Sequence, residues 1–315
     1  MSGSPLAVVR AGELDPRPAG GLRWLVEPLC PHPSVMIAGG QPKSNKTWFG
    51  LDLAVSVASS TPCLGRFPVH LPGRSLVYLA EDALLDVRER LECLCRSRRL
   101  DLAQLDLHVI TEPALRLDLE PDQARLRAAV ERLRPRLLVL DPLVRLHRLD
   151  ENSSQEISGL LGYLRALQRA NEVSILLVHH ASKKSHARHG QALRGSSDLH
   201  AWTDVGFYLT WRGDQLRLAV ELRTAASPEP LELALVSEDP KATHLEVRAA
   251  SSAPPTPSLP HRVLEALRRQ VPASVRRYEL RDLLGVNNAR LGEALGELEQ
   301  AGLVERTEAG WRVRS

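Results

Sequence analysis

The residues with the clearest chemistry lie in the stretch "IAGGQPKSNKTWFGLDLA", Ile37 to Ala54. A phosphate-binding loop needs a strand ending in a tight glycine turn, so that backbone N–H groups can surround the anion. It also needs a lysine for the anion's charge and a hydroxyl for Mg²⁺. Gly40, Gln41, Pro42, Lys43, Ser44, Asn45, Lys46 and Thr47, followed by Trp48, meet that pattern at every position but one. Asn45 stands where the second glycine is usual. If glycine serves there to reach a positive φ, asparagine is the next most tolerant residue. If it serves to let a phosphate approach too closely for a Cβ, asparagine weakens binding. The sequence leaves both open.

Other polar groups end apolar runs. Asp141 closes "RPRLLVLD", where it can hold Mg²⁺ or its water from across a sheet from Thr47. Taken alone, it also reads as a turn or helix cap. Glu81 follows "SLVYLA", a place from which a carboxylate can orient and deprotonate an attacking water. Its neighbour Asp82 reads as the cap of the next helix. His179 and His180 end "VSILLVHH", and the basic run after them holds Lys183, Lys184, Arg188 and Arg194. That run reads as a cationic segment for the backbone of single-stranded nucleic acid, although stacking aromatics are sparse in it. His186 and His189 raise a metal site, but no cysteine or carboxylate stands at ligand spacing. Cys30, Cys63, Cys93 and Cys95 form neither a paired framework nor a metal set, and read as reduced thiols.

These groups must be carried by buried strands. Continuous apolar runs at 34–39, 75–80, 107–111, 136–141 and 173–180 alternate with amphipathic stretches near 46–58, 83–98, 121–133 and 154–171. Strands apolar on every residue require cover on both faces, so the fold class is α/β, a mostly parallel sheet flanked by helices. From about 204, "DVGFYLTWR", "QLRLAVELR", "LELALVS" and "HLEVRAA" read as short antiparallel strands extending that sheet. The net charge of +3 gives no strong global field for nucleic acid. No run reaches bilayer-spanning length and the N-terminus lacks a signal-peptide layout, so a cytoplasmic protein without membrane contact is expected.

The expected organisation is an arm over 1–21, a phosphate-loop domain over 22–249, a linker rich in Pro and Ser over 250–260, and a small module over 261–315. The module runs helix, short helix, turn, longer helix and two short strands, the order of a winged helix-turn-helix. Asn287, Asn288 and Arg290 open its recognition position. Such a module reads duplex DNA or serves packing and oligomer contact.

With "GGQPKSNKTW", "LVYLAEDA", "LLVLDPL", "ILLVHHASKK" and "LRGSSDLHAWTDVGFYL" in this order, residues 22–240 resemble the RepA-like branch of the RecA/DnaB ATPases, ring-forming replicative helicases of plasmids and phages. The resemblance implies ATP and Mg²⁺ as cofactors, with Lys46 and Thr47 on phosphate and metal. It implies Asp141 as the Walker B aspartate, Glu81 as the catalytic carboxylate and His180 as the γ-phosphate sensor. It implies a homo-oligomeric ring, expected as a hexamer, in which a neighbour's arginine completes the site. Arg223 in "LAVELRTAASP" is the first choice for that arginine, with Arg212 and Arg194 behind it. Asn45 departs from the family pattern, as does Glu221, which stands where several relatives carry a second cation. These departures suggest slow hydrolysis. The alternative readings are a nucleotide-switched winged-helix regulator and a helicase-loading factor with little turnover.

Overall fold

The computed structural model describes residues 8–14, 21–150, 153–180, 197–237, 241–248, 259–270, 274–284, 286, 288–307 and 309–314. Within these, the side chains of 154, 155, 180, 197, 198, 282, 288–290 and 293 fall outside the description. The chain divides into two compact units, Met1–Ala250 and Ser251–Ser315. Among the described residues no helix is long and apolar enough to cross a membrane.

The first unit begins with a small antiparallel pair, β1 (Trp24–Val26) and β2 (Cys30–Pro31). There follow β3 (Val35–Gly40), α1 (Lys46–Ser59), β4 (Ser75–Leu79), α2 (Leu84–Ser97), β5 (Leu107–Val109), α3 (Glu120–Leu133) and β6 (Leu137–Asp141). Next come α4 (Ser154–Asn171), β7 (Ser174–His180), α5 (Ser197–Trp202), β8 (Val205–Arg212), β9 (Gln215–Leu222), β10 (Leu231–Ser237) and β11 (Thr243–Val247). Nine strands form one sheet in the order β11-β10-β9-β8-β3-β7-β6-β4-β5. The six strands from β8 to β5 are parallel, and β9, β10 and β11 extend the sheet antiparallel. This is a RecA-like layout, in which β7 separates the phosphate-loop strand from the strand of Asp141.

The continuous apolar runs have a simple cause. Successive side chains of a strand point to opposite faces, so a strand covered on both sides must be apolar at each position. Met36, Ala38, Val77, Val139, Leu176 and Val178 join one core with Phe49 and Leu53 of α1 and Leu91 of α2. Val35, Ile37, Leu76, Leu138, Ile175 and Leu177 join the other, with Leu126 and Val130 of α3 and Leu160 and Leu164 of α4.

Two local expectations need correction. Asp82 does not cap α2: Ala83 holds the cap position, and Asp82 instead accepts a 2.7 Å hydrogen bond from Arg90, in the second turn of the helix. The strand expected over 107–111 ends at Val109.

The second unit contains α6 (Leu259–Arg268), α7 (Arg277–Leu284), α8 (Asn288–Gln300) and a hairpin of β12 (Val304–Thr307) with β13 (Gly310–Val313). Val263, Leu267, Leu280, Leu291, Leu295 and Val304 form its core. Val275 bridges Trp311 as a third extended segment, and a methyl on Gly310 would stand 2.4 Å from the Val275 carbonyl. The arrangement is compatible with a winged helix.

Candidate active site

The phosphate loop starts where β3 leaves the sheet. Gly40 must be glycine, because a Cβ there would lie 2.2 Å from the Leu209 carbonyl of β8 and 2.7 Å from Ser44 Oγ. The loop then turns through two left-handed residues, Lys43 at φ 63° and Asn45 at φ 60°. The backbone at Asn45 therefore does occupy positive φ, the conformation asparagine tolerates best after glycine. α1 begins at the next residue, so its first N–H groups open onto the loop.

Lys46 is 3% exposed. Its ammonium donates to the carbonyls of Gly40 (3.1 Å) and Gln41 (2.7 Å) and to Ser44 Oγ (3.3 Å). Burial draws its pKa down to about 8, with the nearby Asp141 carboxylate pulling the other way. A buried cation satisfied only by carbonyl and hydroxyl dipoles is suited to exchange them for phosphate oxygens. Asp141 is equally buried, and burial pushes its carboxyl up to about 6 against a hydrogen bond from the Thr47 hydroxyl. Asp82 and Glu81 add to the rise, and Lys46 opposes it. The Thr47 hydroxyl and Asp141 carboxylate thus bring two hard oxygen donors together, the chemistry Mg²⁺ prefers.

The sheet order gathers the rest. The C-terminal ends of β3, β7, β6 and β4 lie side by side, with Gly40 paired to His180 and Leu79 to Asp141. Glu81 stands two residues past β4 on this same edge. Its Oε1 accepts a 2.6 Å hydrogen bond from Nε of Arg145, a residue the sequence reading missed. His179 is buried within β7. The His180 side chain lies outside the described residues, as do Lys183, Lys184, Arg188, Arg194 and Asn287 and the side chains of Asn288 and Arg290. On the other flank of the loop, at the end of β8, Trp211 is exposed and its indole N–H donates to the Lys43 carbonyl at 3.2 Å. Trp48 packs against the core instead.

Arg223 is not part of this cluster. β9 runs antiparallel to β8, with Leu222 paired to Val205 and Val205 to Met36. Arg223 therefore sits at the opposite end of the sheet, a strand length of roughly 17–20 Å from the loop. There Asp204 binds Arg165 (2.6 Å), the Val35 N–H (3.0 Å) and, more loosely, Arg223 (3.7 Å). The Arg223 side chain is 61% exposed. Beside it the Glu221 carboxylate accepts from the Tyr208 hydroxyl at 3.0 Å and lies 3.4 Å from His200. Arg212, at the loop end of β8, is exposed.

Among solved structures, the chain is similar to one titled "ATPase Domain of G40P", at 14% identity and a TM-score of 0.51, covering 67% of this chain and 84% of that one. At that identity the likeness speaks for the fold. No curated protein matches the sequence. Protein-family comparison matches residues 4–186, more than half of the chain, to the AAA domain, and the chain belongs to the AAA domain family.

Proposed function

We propose that this chain is an ATP-hydrolysing motor that acts on nucleic acid as a ring of identical subunits, expected as a hexamer, and that it is a RepA-like replicative helicase of a plasmid, phage or other mobile element. The observation that carries the reading is the single sheet edge on which Lys46, Thr47, Asp141 and Glu81 meet. Lys46 exchanges the Gly40 and Gln41 carbonyls for phosphate oxygens, and the α1 N-terminus adds its N–H groups. Thr47 and Asp141 hold Mg²⁺, which neutralises charge on the phosphates. Glu81 leaves Arg145 to orient a water and accept its proton. His180 lies at the edge where a γ-phosphate is sensed. Arg223, at the far end of the sheet, reaches the site of a neighbouring subunit. Lys183, Lys184, Arg188 and Arg194 supply a cationic track for single-stranded DNA.

The Glu81–Arg145 ion pair favours a second reading. A carboxylate held by a cation is a restrained base, which suits a nucleotide switch or a helicase loader with little turnover. Asn287, Asn288 and Arg290 would then read duplex DNA. ATP hydrolysis with and without single-stranded DNA, beside a Lys46→Ala control, separates the two. Lys46-dependent turnover that rises with DNA supports the motor. ATP binding without turnover, with duplex binding lost on deletion of 255–315, supports the switch.

A further inference from the structure

We propose that the exposed face of Trp211 is the platform on which the base of a purine nucleotide stacks; this rests on the nucleotide site proposed above. A nucleoside triphosphate is a long, asymmetric ligand, and the sheet orients it. Its terminal phosphate must point toward Asp141 and Glu81, which lie on β6 and just past β4, on one side of β3. The loop encloses the middle of the ligand, so the base must leave on the other side of β3. The strand on that side is β8, and Trp211 is at its end, two residues past the Leu209 that pairs with Gly40.

The state of the indole fits this role. Trp211 is 41% exposed, and every other tryptophan in the chain is less so. An apolar ring left half in water beside a phosphate loop gains by being covered. The ring is also held in place, because its N–H donates to the Lys43 carbonyl within the loop. With its one donor used, the indole offers a base only its π-face. Stacking of that kind tolerates any base and is strongest for the larger purine surface. The triphosphate is thus recognised by charge at the loop and the base by area at Trp211.

The same hydrogen bond suggests a rival role, a strut that shapes the loop through Lys43, and one experiment distinguishes them. Wild type, Trp211→Phe and Trp211→Ala are titrated calorimetrically with Mg²⁺ salts of ATP, ADP, CTP and inorganic tripolyphosphate. A platform predicts that Trp211→Ala weakens ATP and ADP by about tenfold, the scale of base stacking on an aromatic, and leaves tripolyphosphate unchanged. It further predicts that Trp211→Phe, which keeps a ring but loses the N–H, stays within about threefold of wild type, and that the preference for ATP over CTP shrinks in Trp211→Ala. A parallel loss for tripolyphosphate and the nucleotides, with phenylalanine no better than alanine, would make Trp211 a strut and overturn the proposal. Unchanged ATP affinity in Trp211→Ala would overturn it as well, with the nucleotide site left standing. A wild type that binds neither ATP nor tripolyphosphate would sink both readings together.

Discussion

The two ends of the nine-stranded sheet handle charge in opposite ways. At the loop end, Lys46 and Asp141 are nearly sequestered from water, and each is satisfied mainly by neutral dipoles: carbonyls for the cation, a threonine hydroxyl for the carboxyl. Their pKa values are displaced toward neutrality as a result, Lys46 down to about 8 and Asp141 up to about 6. At the far end, Asp204 is matched by Arg165 and Arg223, and Glu221 by Tyr208 and His200. Buried charge without a full counter-charge is costly, and a fold retains it where a ligand supplies the missing charge. The loop end is built for an anion and a cation together. The far end is already paired, and Arg223 stands exposed on it.

The largest expected effect tests that offer. Arg223→Ala should lower turnover by about a thousandfold or more, the scale of an arginine supplied to a phosphoryl-transfer site, with ATP affinity little changed in a filter-binding assay. An unchanged rate would return Arg223 to a plain partner of Asp204. Next, Glu81→Gln should cut turnover by about a hundredfold or more while nucleotide binding persists, the signature of a lost general base. Loss of binding in the same variant would show that the edge had been disturbed structurally.

A smaller, graded effect follows from the displaced ionisations. Asp141 takes up a proton as pH falls through about 6, which would remove the proposed Mg²⁺ ligand. Lys46 loses its proton as pH rises through about 8, which would remove the charge proposed to face phosphate. Mg²⁺–ATP affinity measured by calorimetry should therefore peak between those values, and a profile flat from pH 5 to 9 would argue against the loop-end account. Arg145→Ala should raise DNA-independent turnover by at most about fivefold, since an exposed ion pair is a weak restraint. A fall instead would give the guanidinium a part in the reaction. Asn45→Gly should leave ATP affinity within about threefold, because the native φ is one that both residues adopt. A large loss would mean the amide side chain touches the ligand.

The parallel core and the loop were legible because both are written locally. Strands buried on two faces are continuous apolar runs, and a phosphate loop is a fixed spacing of few residues. Trp211 and Arg145 were not legible, since their partners lie 168 and 64 residues away in sequence. Only the parallel pairing of β8 with β3, and the turn after β6, bring them to the loop edge. Asp82 was misread because a cap is a local pattern, whereas Arg90 in the second turn of the helix offered it a charge. The β1–β2 pair, three residues against two, is too short to carry a period. Arg223 was named by resemblance alone, and its remoteness from its own loop became visible only with the antiparallel return of β9.

With Arg223 that far from its own loop, the proposed ring requires the two ends of the sheet to meet between copies of the chain. Lys46→Ala and Arg223→Ala, each inactive alone, should be mixed in equal amounts and assayed for ATP hydrolysis with single-stranded DNA. Random assembly leaves roughly a quarter of head-to-tail interfaces with both residues intact, so activity should recover to about that fraction of wild type. A mixture as inactive as its components, from proteins shown to co-assemble, would contradict the claim.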